Sequence, residues 1–574
     1  MRSFPLLLCL FSYIGASSQI LIKNTNVFDV ENKKILAGYD VVVMGDSITA
    51  VSKGIMYKLP PTTQVIDGTG KYLIPGLVDA HVHFFQSGGL FARPDAIDLR
   101  KYHPYDKELK WVHDNMNDFL RRYASAGITT VIDVGSSYNF LSQKDSLVRN
   151  VMQAQVYMTG PLLTTYIPDA FKGLGKESPF AEMLTEEGVR QSVRDQIPLH
   201  ADFIKIWYIV LDSNIERGAR KNLPLVKAAI DEAHKNNLRI AVHSTERITA
   251  QLAVEAGADF LVHSVDDEIL TDEFIRLLKK NNTVLCPTLV VGHNYGKVLG
   301  DKYNFSTDEL NLANPFTVGS VIDYPAPDSV LAKRYITAYA GTRAINRTKR
   351  TDSVMAVNLK KLIDAGVTIA TGTDAGNIGT QHASSFFIEL KAMQDAGLSN
   401  WQLLQSSTIN GAKAIGKQKL WGSIVKNKKA NLVLLNNNPL DELANWRKID
   451  WVINNGVAVK PDSIIANTPE MLAQQQLNAY NAHDLDAFLY PYAEDVEIYD
   501  GRDKLVMKGK DQMRKNYYFL TRATNLYCRL VNRIVNENIV VDHEEIWNGR
   551  NKPRYSIAIY VIEKGKISKV FLGL

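Results

Sequence analysis

The chain has 574 residues, of which 45% are hydrophobic and 22% charged, with a formal net charge of +5 and 3 cysteines. That composition excludes a disordered or collagen-like chain, and the length demands more than one core. The basic residues are scattered, which excludes a nucleic-acid-binding face, and so few cysteines exclude a disulfide framework.

The N-terminus reads as a secretory signal over residues 1–18. Arg2 is followed by an apolar run over 4–16, and Ala16-Ser17-Ser18 offers small residues for cleavage before Gln19. The mature protein is therefore expected in the periplasm or outside the cell. The run is shorter than the ~20 residues a membrane span needs, and no other stretch qualifies. Cys9 leaves with the signal, so Cys286 and Cys528 remain, in different domains.

Residues 19–75 hold short strand runs, Ile20-Leu-Ile-Lys and Asp40-Val-Val-Val-Met among them, with Gly and Asn turns beside them. Gly76-Leu-Val-Asp-Ala-His-Val-His-Phe84 then reads as a buried strand after a Pro-Gly turn. His81 and His83 leave such a strand from one face, with Cα atoms roughly 6.6 Å apart. Two imidazoles close that gap onto one cation, with bonds of about 2.0–2.1 Å. A pair of core histidines is the alternative, but each needs partners for both nitrogens, so the pattern favours metal.

From residue 76 to 416 strands alternate with helices. A helical stretch carrying Leu109, Val112, Met116 and Phe119 leads to a strand at 128–134, and further strand runs follow at 156–158, 203–210, 239–244, 260–264, 283–288 and 368–374. Eight such units predict a closed (β/α)₈ barrel. An open doubly wound sheet is the alternative, but it wants a Gly-rich phosphate turn after its first strand, where this chain has His-Val-His. Residues 290–361 are too long for a connection and rich in Tyr and Phe, so they form a helical insert, either a lid over the barrel mouth or a surface excursion with its own small core. Strand runs over 417–462 rejoin the N-terminal module as a small β-sandwich. A linker with Pro461 and Pro469 hands over to an α+β domain at 470–574 with a curved antiparallel sheet.

The candidate chemistry falls at equivalent places. His81 and His83 sit on the first barrel strand, Lys205 on the fourth, His243 on the fifth, His263 on the sixth and Asp374 after the eighth. In a barrel these strand ends converge on one face, and four histidines and a carboxylate arriving there favour a metal site over packing.

These residues sit in motifs that resemble the metal-dependent amidohydrolase superfamily, nearest its imidazolonepropionase-like and Xaa-Pro dipeptidase-like branch. The matching pieces are Pro75-Gly-Leu-Val-Asp-Ala-His-Val-His83, Ile204-Lys205-Ile, Ala241-Val-His243, Val262-His263-Ser, Gly372-Thr-Asp374-Ala-Gly376, Ser407-Thr-Ile-Asn-Gly-Ala412 and Ala430-Asn-Leu-Val-Leu-Leu-Asn436. The resemblance implies that His81 and His83 bind the more buried ion, that His243 and His263 bind a second, that Lys205, N-carboxylated, bridges them, and that Asp374 completes the ligand set of the first ion. A buried lysine sheds its proton readily, and the neutral amine takes up CO₂ to become an anionic oxygen ligand. The ions are expected to be two Zn, with Mn, Co or Fe as alternatives. A hydroxide held between them would attack the carbonyl of a small amide, with Asp374 moving the proton.

His382 either touches substrate, as related enzymes often place a His there, or belongs to the start of a helix at Ser384-Ser385. His293, after the seventh strand, is a candidate for the mouth, and Trp207 for either the pocket or the core. The tail, with Ala479-Tyr-Asn-Ala-His-Asp-Leu-Asp-Ala and the ending Gly565-Lys-Ile-Ser-Lys-Val-Phe, resembles the NTF2-like/SnoaL-like fold, which implies an accessory that binds a ligand or pairs two copies as a homodimer. The leading reading is hydrolysis of a C–N bond in a dipeptide or cyclic amide. A lactonase or ester hydrolase, and a non-catalytic metal-containing binding protein, are the alternatives.

Overall fold

The computed structural model describes residues 19–54, 60–147, 150–501, 503–522, 525–549 and 552–573. The signal segment 1–18, with Cys9, lies outside them. Among the described residues no helix is long and apolar enough to cross a membrane, and Cys286 and Cys528 are buried and free.

The two terminal β segments complete one another. Strands Gln19–Asp29, Lys34–Met44 and Ser47–Ser52 join Tyr72–Pro75, Leu432–Leu435, Ile449–Asn454 and Val457–Val459 in one eight-stranded sheet, with Gln64–Asp67 beside the first strand. The joint is the antiparallel pairing of Leu432–Leu435 with Tyr72–Pro75. Ile20, Ile22, Val41, Val43, Leu432, Leu434 and Ile453 form its apolar layer, so neither segment buries its face without the other.

Between them lies the barrel. Its strands are Leu77–Val82, Ile128–Asp133, Gln155–Met158, Ile204–Trp207, Ile240–His243, Phe260–Val262 and Val284–Cys286, with the eighth over 368–374. Neighbours run parallel, as βαβ crossovers require. The last strand closes the ring: Ala80 N–H donates to Thr371 O and Asp374 N–H to His81 O, while Ala370 N–H reaches Leu285 O on the other side. Gly372 permits this closure, because a Cβ there would lie 2.5 Å from Cys286 Sγ and 2.6 Å from the His81 nitrogen. Val78, Ala80, Ile132, Ala241, Val262, Cys286 and Ala370 fill the interior, a packed core rather than a pore.

The insert is helical: Val291–Leu299, Thr307–Leu312, Pro315–Ile322, Ser329–Ala340 and Thr342–Asp364. It is neither a free lid nor a separate excursion. Its inner side walls the cavity at the barrel mouth through Val291, Tyr295, Tyr339 and Met355. Its outer side shares one apolar core with the tail domain, where Val298, Leu310, Val318 and Val321 join Leu472, Ala473 and Ala479.

The tail carries a six-stranded sheet in the order 504–508, 492–500, 566–572, 554–563, 539–548, 526–536. Its first helix, Pro469–Asn481, is buried on nearly every side from Met471 to Ala479. That burial explains why its sequence mixes Gln and Asn with Leu and Ala: the amides serve backbone groups that water cannot reach. Gln475 Nε2 donates to Leu310 O and Asn311 O, and Asn478 Nδ2 donates to Pro315 O at 2.6 Å.

One guanidinium ties three parts together. Arg122, 1% exposed and on helix Tyr105–Ser125, pairs with Asp118 at 2.6 Å and donates to Leu312 O and Ala313 O of the insert and to Asn467 Oδ1 of the linker. Removing one partner of such a buried set costs about 3–5 kcal/mol. Arg122→Met is expected to bring the urea unfolding transition forward by that amount and to open residues 460–468 to protease; an unchanged transition would show that the clamp is dispensable.

Candidate metal centre

The first barrel strand delivers His81 and His83 to one face, as their spacing requires. Their Nε2 atoms stand 3.3 Å apart, and Asp374 Oδ1 lies 3.2 Å from each. His83 Nδ1 meets the carbonyl of Gly135 at 2.8 Å. A carbonyl only accepts, so Nδ1 carries the proton and Nε2 presents a bare lone pair to the carboxylate. Asp374 Oδ1 and His81 Nδ1 are buried without a hydrogen bond. Lone pairs converging in a buried place are unfavourable unless a proton or a cation sits among them. The donor set therefore fits a divalent metal.

The remaining histidines complete an arc. The His263 ring lies 4.8 Å from that of His81 and 4.3 Å from that of His243, centroid to centroid. His81, His263 and Asp374 each place a ligand atom within 4.8 Å of the others. His263 Nδ1 meets Thr288 Oγ1 at 2.6 Å, which sets the ring's orientation. Burial pushes the His81 imidazole down to about 3 and those of His243 and His263 well below the ordinary value, so all three are neutral at pH 7, the form that binds a metal.

Lys205 is 1% exposed, lines the same cavity and stands beside Ala241, two residues before the Trp207–His243 pair. Among the described residues it makes no ion pair, unlike a core lysine held by a carboxylate. Burial brings its ammonium down to about 7, with the Asp374 carboxylate opposing. A substantial share of neutral amine at pH 7 is what carbamate formation needs.

These groups open into a cavity of 570 Å³. His293 lies on its rim, half-exposed and 3.7 Å from Asp352. Trp207 lines it and stacks on Phe180, with centroids 5.0 Å apart. His382, expected at the substrate, is placed elsewhere. It is buried behind the cavity wall, stacked on Phe84 at 5.1 Å, with Nδ1 on Tyr123 and Nε2 on Gln86 O. Both nitrogens are spent in the core, so neither faces a ligand.

Several supporting residues escaped the sequence reading. Asp79 accepts from Thr373 N and Thr373 Oγ1 and so pins the first strand to the eighth. Asp133 accepts from the backbone N–H groups of Phe84 and Gly135 and holds the loop beneath His83. Asn377 Nδ2 donates to Asp374 O, and its own Oδ1 receives Arg93 and Tyr295 at 2.6 Å each. Asp374, His263 and Thr288 have left-handed φ of 60°, 77° and 45°, a strained conformation for such residues that clusters at functional sites. Asp79, two residues before His81, was the one visible signal; the others become partners only through folding.

Comparison with known proteins agrees with this geometry. The model of the amidohydrolase family matches residues 72–459 and that of the SnoaL-like domain residues 473–570. The imidazolonepropionase of Fusobacterium nucleatum is 22% identical over 72% of this chain and 87% of its own. The 5-methylthioadenosine/S-adenosylhomocysteine deaminase of Carboxydothermus hydrogenoformans is 22% identical over 80% of this chain and 94% of its own. Among solved structures, a Xaa-Pro dipeptidase with bound methionine in its active site superposes with a TM-score of 0.56 at 21% identity, covering 77% of this chain and 100% of its own. Barrel, histidine arc and family match together make this chain a member of the amidohydrolase family that carries a SnoaL-like domain at its C-terminal end.

Proposed function

We propose that the protein is an exported metal-dependent hydrolase that cleaves the C–N bond of a small amide, a dipeptide or a cyclic amide. The observation that carries this reading is the Asp374 oxygen set 3.2 Å from the Nε2 atoms of His81 and His83, at the foot of a cavity sized for a small molecule. Relatives named for an imidazolone propionate and for an Xaa-Pro dipeptide suggest substrates of that kind. The apolar run over 4–16 supports export.

Divalent ions, zinc foremost for so imidazole-rich a set with Mn, Co or Fe as alternatives, would be held by His81, His83, His243, His263, Asp374 and carboxylated Lys205, and would supply Lewis acidity and a water acidified to a pKa of about 7. Asp374 does the proton work. Its carboxylate stays ionised beside the imidazoles, takes a proton from the attacking water as the new C–O bond forms, and hands it to the nitrogen as the C–N bond breaks. Asn377 and Asp79 hold the loop and strand from which Asp374 and His81 act. The insert forms one wall of the cavity through Val291, Tyr295, Tyr339 and Met355.

The outer strands of the tail leave Val531, Ile534, Val535 and Ile539 exposed, and 526–536 is an edge strand. Such an edge is a template for pairing, and we read it as the face through which two copies associate.

Three measurements test these statements. Asp374→Asn is expected to keep the fold by circular dichroism and lose about 10²-fold or more in kcat on any dipeptide, cyclic amide or ester the wild type hydrolyses; near-normal turnover refutes the role. Elemental analysis is expected to find about two ions per chain in the purified protein and about one in Lys205→Met, and a wild-type ratio near one removes the bridging lysine. Light scattering is expected to give a dimer that Ile534→Lys converts to monomer.

A further inference from the structure

Gln86 lies three residues beyond His83, in the loop that leaves the first barrel strand. It lines the cavity and is 1% exposed, yet its amide oxygen is buried without a hydrogen-bond partner. Native proteins rarely leave a buried amide unpaired, because the group has given up water for nothing. Beside a ligand cavity, the missing partner is one that arrives.

Two neighbours hold the backbone from which this amide projects. Gln86 O receives the Nε2–H of His382 at 2.9 Å. A carbonyl only accepts, which fixes the His382 tautomer and leaves Nδ1 to accept the Tyr123 hydroxyl at 3.1 Å. The ring itself is clamped between Phe84 and Phe119, at centroid distances of 5.1 Å and 4.5 Å. The loop after the eighth strand also closes down here at Gly376, where φ is +108° and a Cβ would stand 2.4 Å from His83 O and 3.0 Å from both Gln86 Cβ and Gln86 O. A backbone this constrained, ending in a spare polar group, is preorganised for binding.

We infer that Gln86 is a substrate-binding residue, that it reads an amide with a free N–H, and that His382 and Tyr123 are positioning residues acting through its backbone. A carboxamide offers both a donor and an acceptor. It is therefore complementary to a group that has both, a peptide or ring amide, and mismatched to an ester or lactone, which has no N–H to give. This rests on the hydrolase reading and narrows it from acyl compounds in general to secondary amides, so that a ring amide or an ordinary peptide bond fits and the Xaa-Pro bond, which has no N–H, does not.

The test uses the full-length, metal-replete protein and two probes of the same shape, L-alanyl-L-leucine and its ester-linked analogue. Gln86→Met keeps the side-chain length and removes the hydrogen bonds. It is expected to raise KM for the dipeptide about tenfold, to leave KM for the ester within twofold, and to leave the thermal midpoint unchanged or higher, because an unpaired buried amide has been removed. His382→Phe preserves the stacking but strips Gln86 O of its donor, and is expected to raise the dipeptide KM without touching the cavity; His382→Gln, which restores a donor, recovers part of the loss. Wild-type KM values in Gln86→Met, or a lowered midpoint with equal losses on both probes, overturn the assignment. A wild type that turns over neither probe counts against the hydrolase reading. The Gln86 assignment is then decided by calorimetric Kd for the same probes, where equal Kd values in wild type and Gln86→Met, or no binding to the wild type, overturn it.

Discussion

A buried carboxylate oxygen facing two imidazole nitrogens is the arrangement on which the rest of this molecule depends. Asp374 Oδ1 and the Nε2 atoms of His81 and His83 converge within 3.3 Å of one another, and a shared cation makes that convergence favourable. Everything around them serves to impose it. Gly372 lets the eighth strand approach the first, Asp79 locks the two strands through Thr373, and the Gly135 carbonyl dictates which nitrogen of His83 is bare. The left-handed backbone at Asp374, His263 and Thr288 is a second cost borne at the same place. Such costs persist only where the surrounding fold over-determines them.

That over-determination extends far beyond the barrel. The insert helices wall the cavity on one side and merge with the core of the tail domain on the other. Arg122 reaches from a barrel helix to the insert and the linker together. The insert helix Val291–Leu299, part of which packs in that shared core, carries Tyr295, which bonds Asn377, and Asn377 in turn bonds Asp374 O.

The position of His382 shows where pattern reasoning reaches its limit. Its place just after the eighth strand suggested a ligand-facing side chain, and chain order alone could not reveal that Phe84 and Phe119 would enclose the ring. Gln86 illustrates the converse. Nothing in Phe84-Phe85-Gln86-Ser87 marks a functional amide, and the residue becomes visible only when its oxygen is found without a partner.

The sequence by itself determined the alternation of strands and helices, the division into a split β module, a barrel and an α+β tail, and the chain-order series of His81, His83, Lys205, His243, His263 and Asp374. Those features are legible because they are periodic or local: side-chain alternation along a strand, turn residues at its ends, ligand spacing within a few residues. Tertiary structure alone decided which nitrogen of His83 is bare, that Lys205 makes no ion pair among the described residues, which histidine is spent in the core, and that the insert joins the tail. These depend on groups hundreds of residues apart, such as Asp79 with Thr373 and Arg122 with Asn467. Burial and hydrogen-bond satisfaction are properties of the closed structure, and no local pattern encodes them.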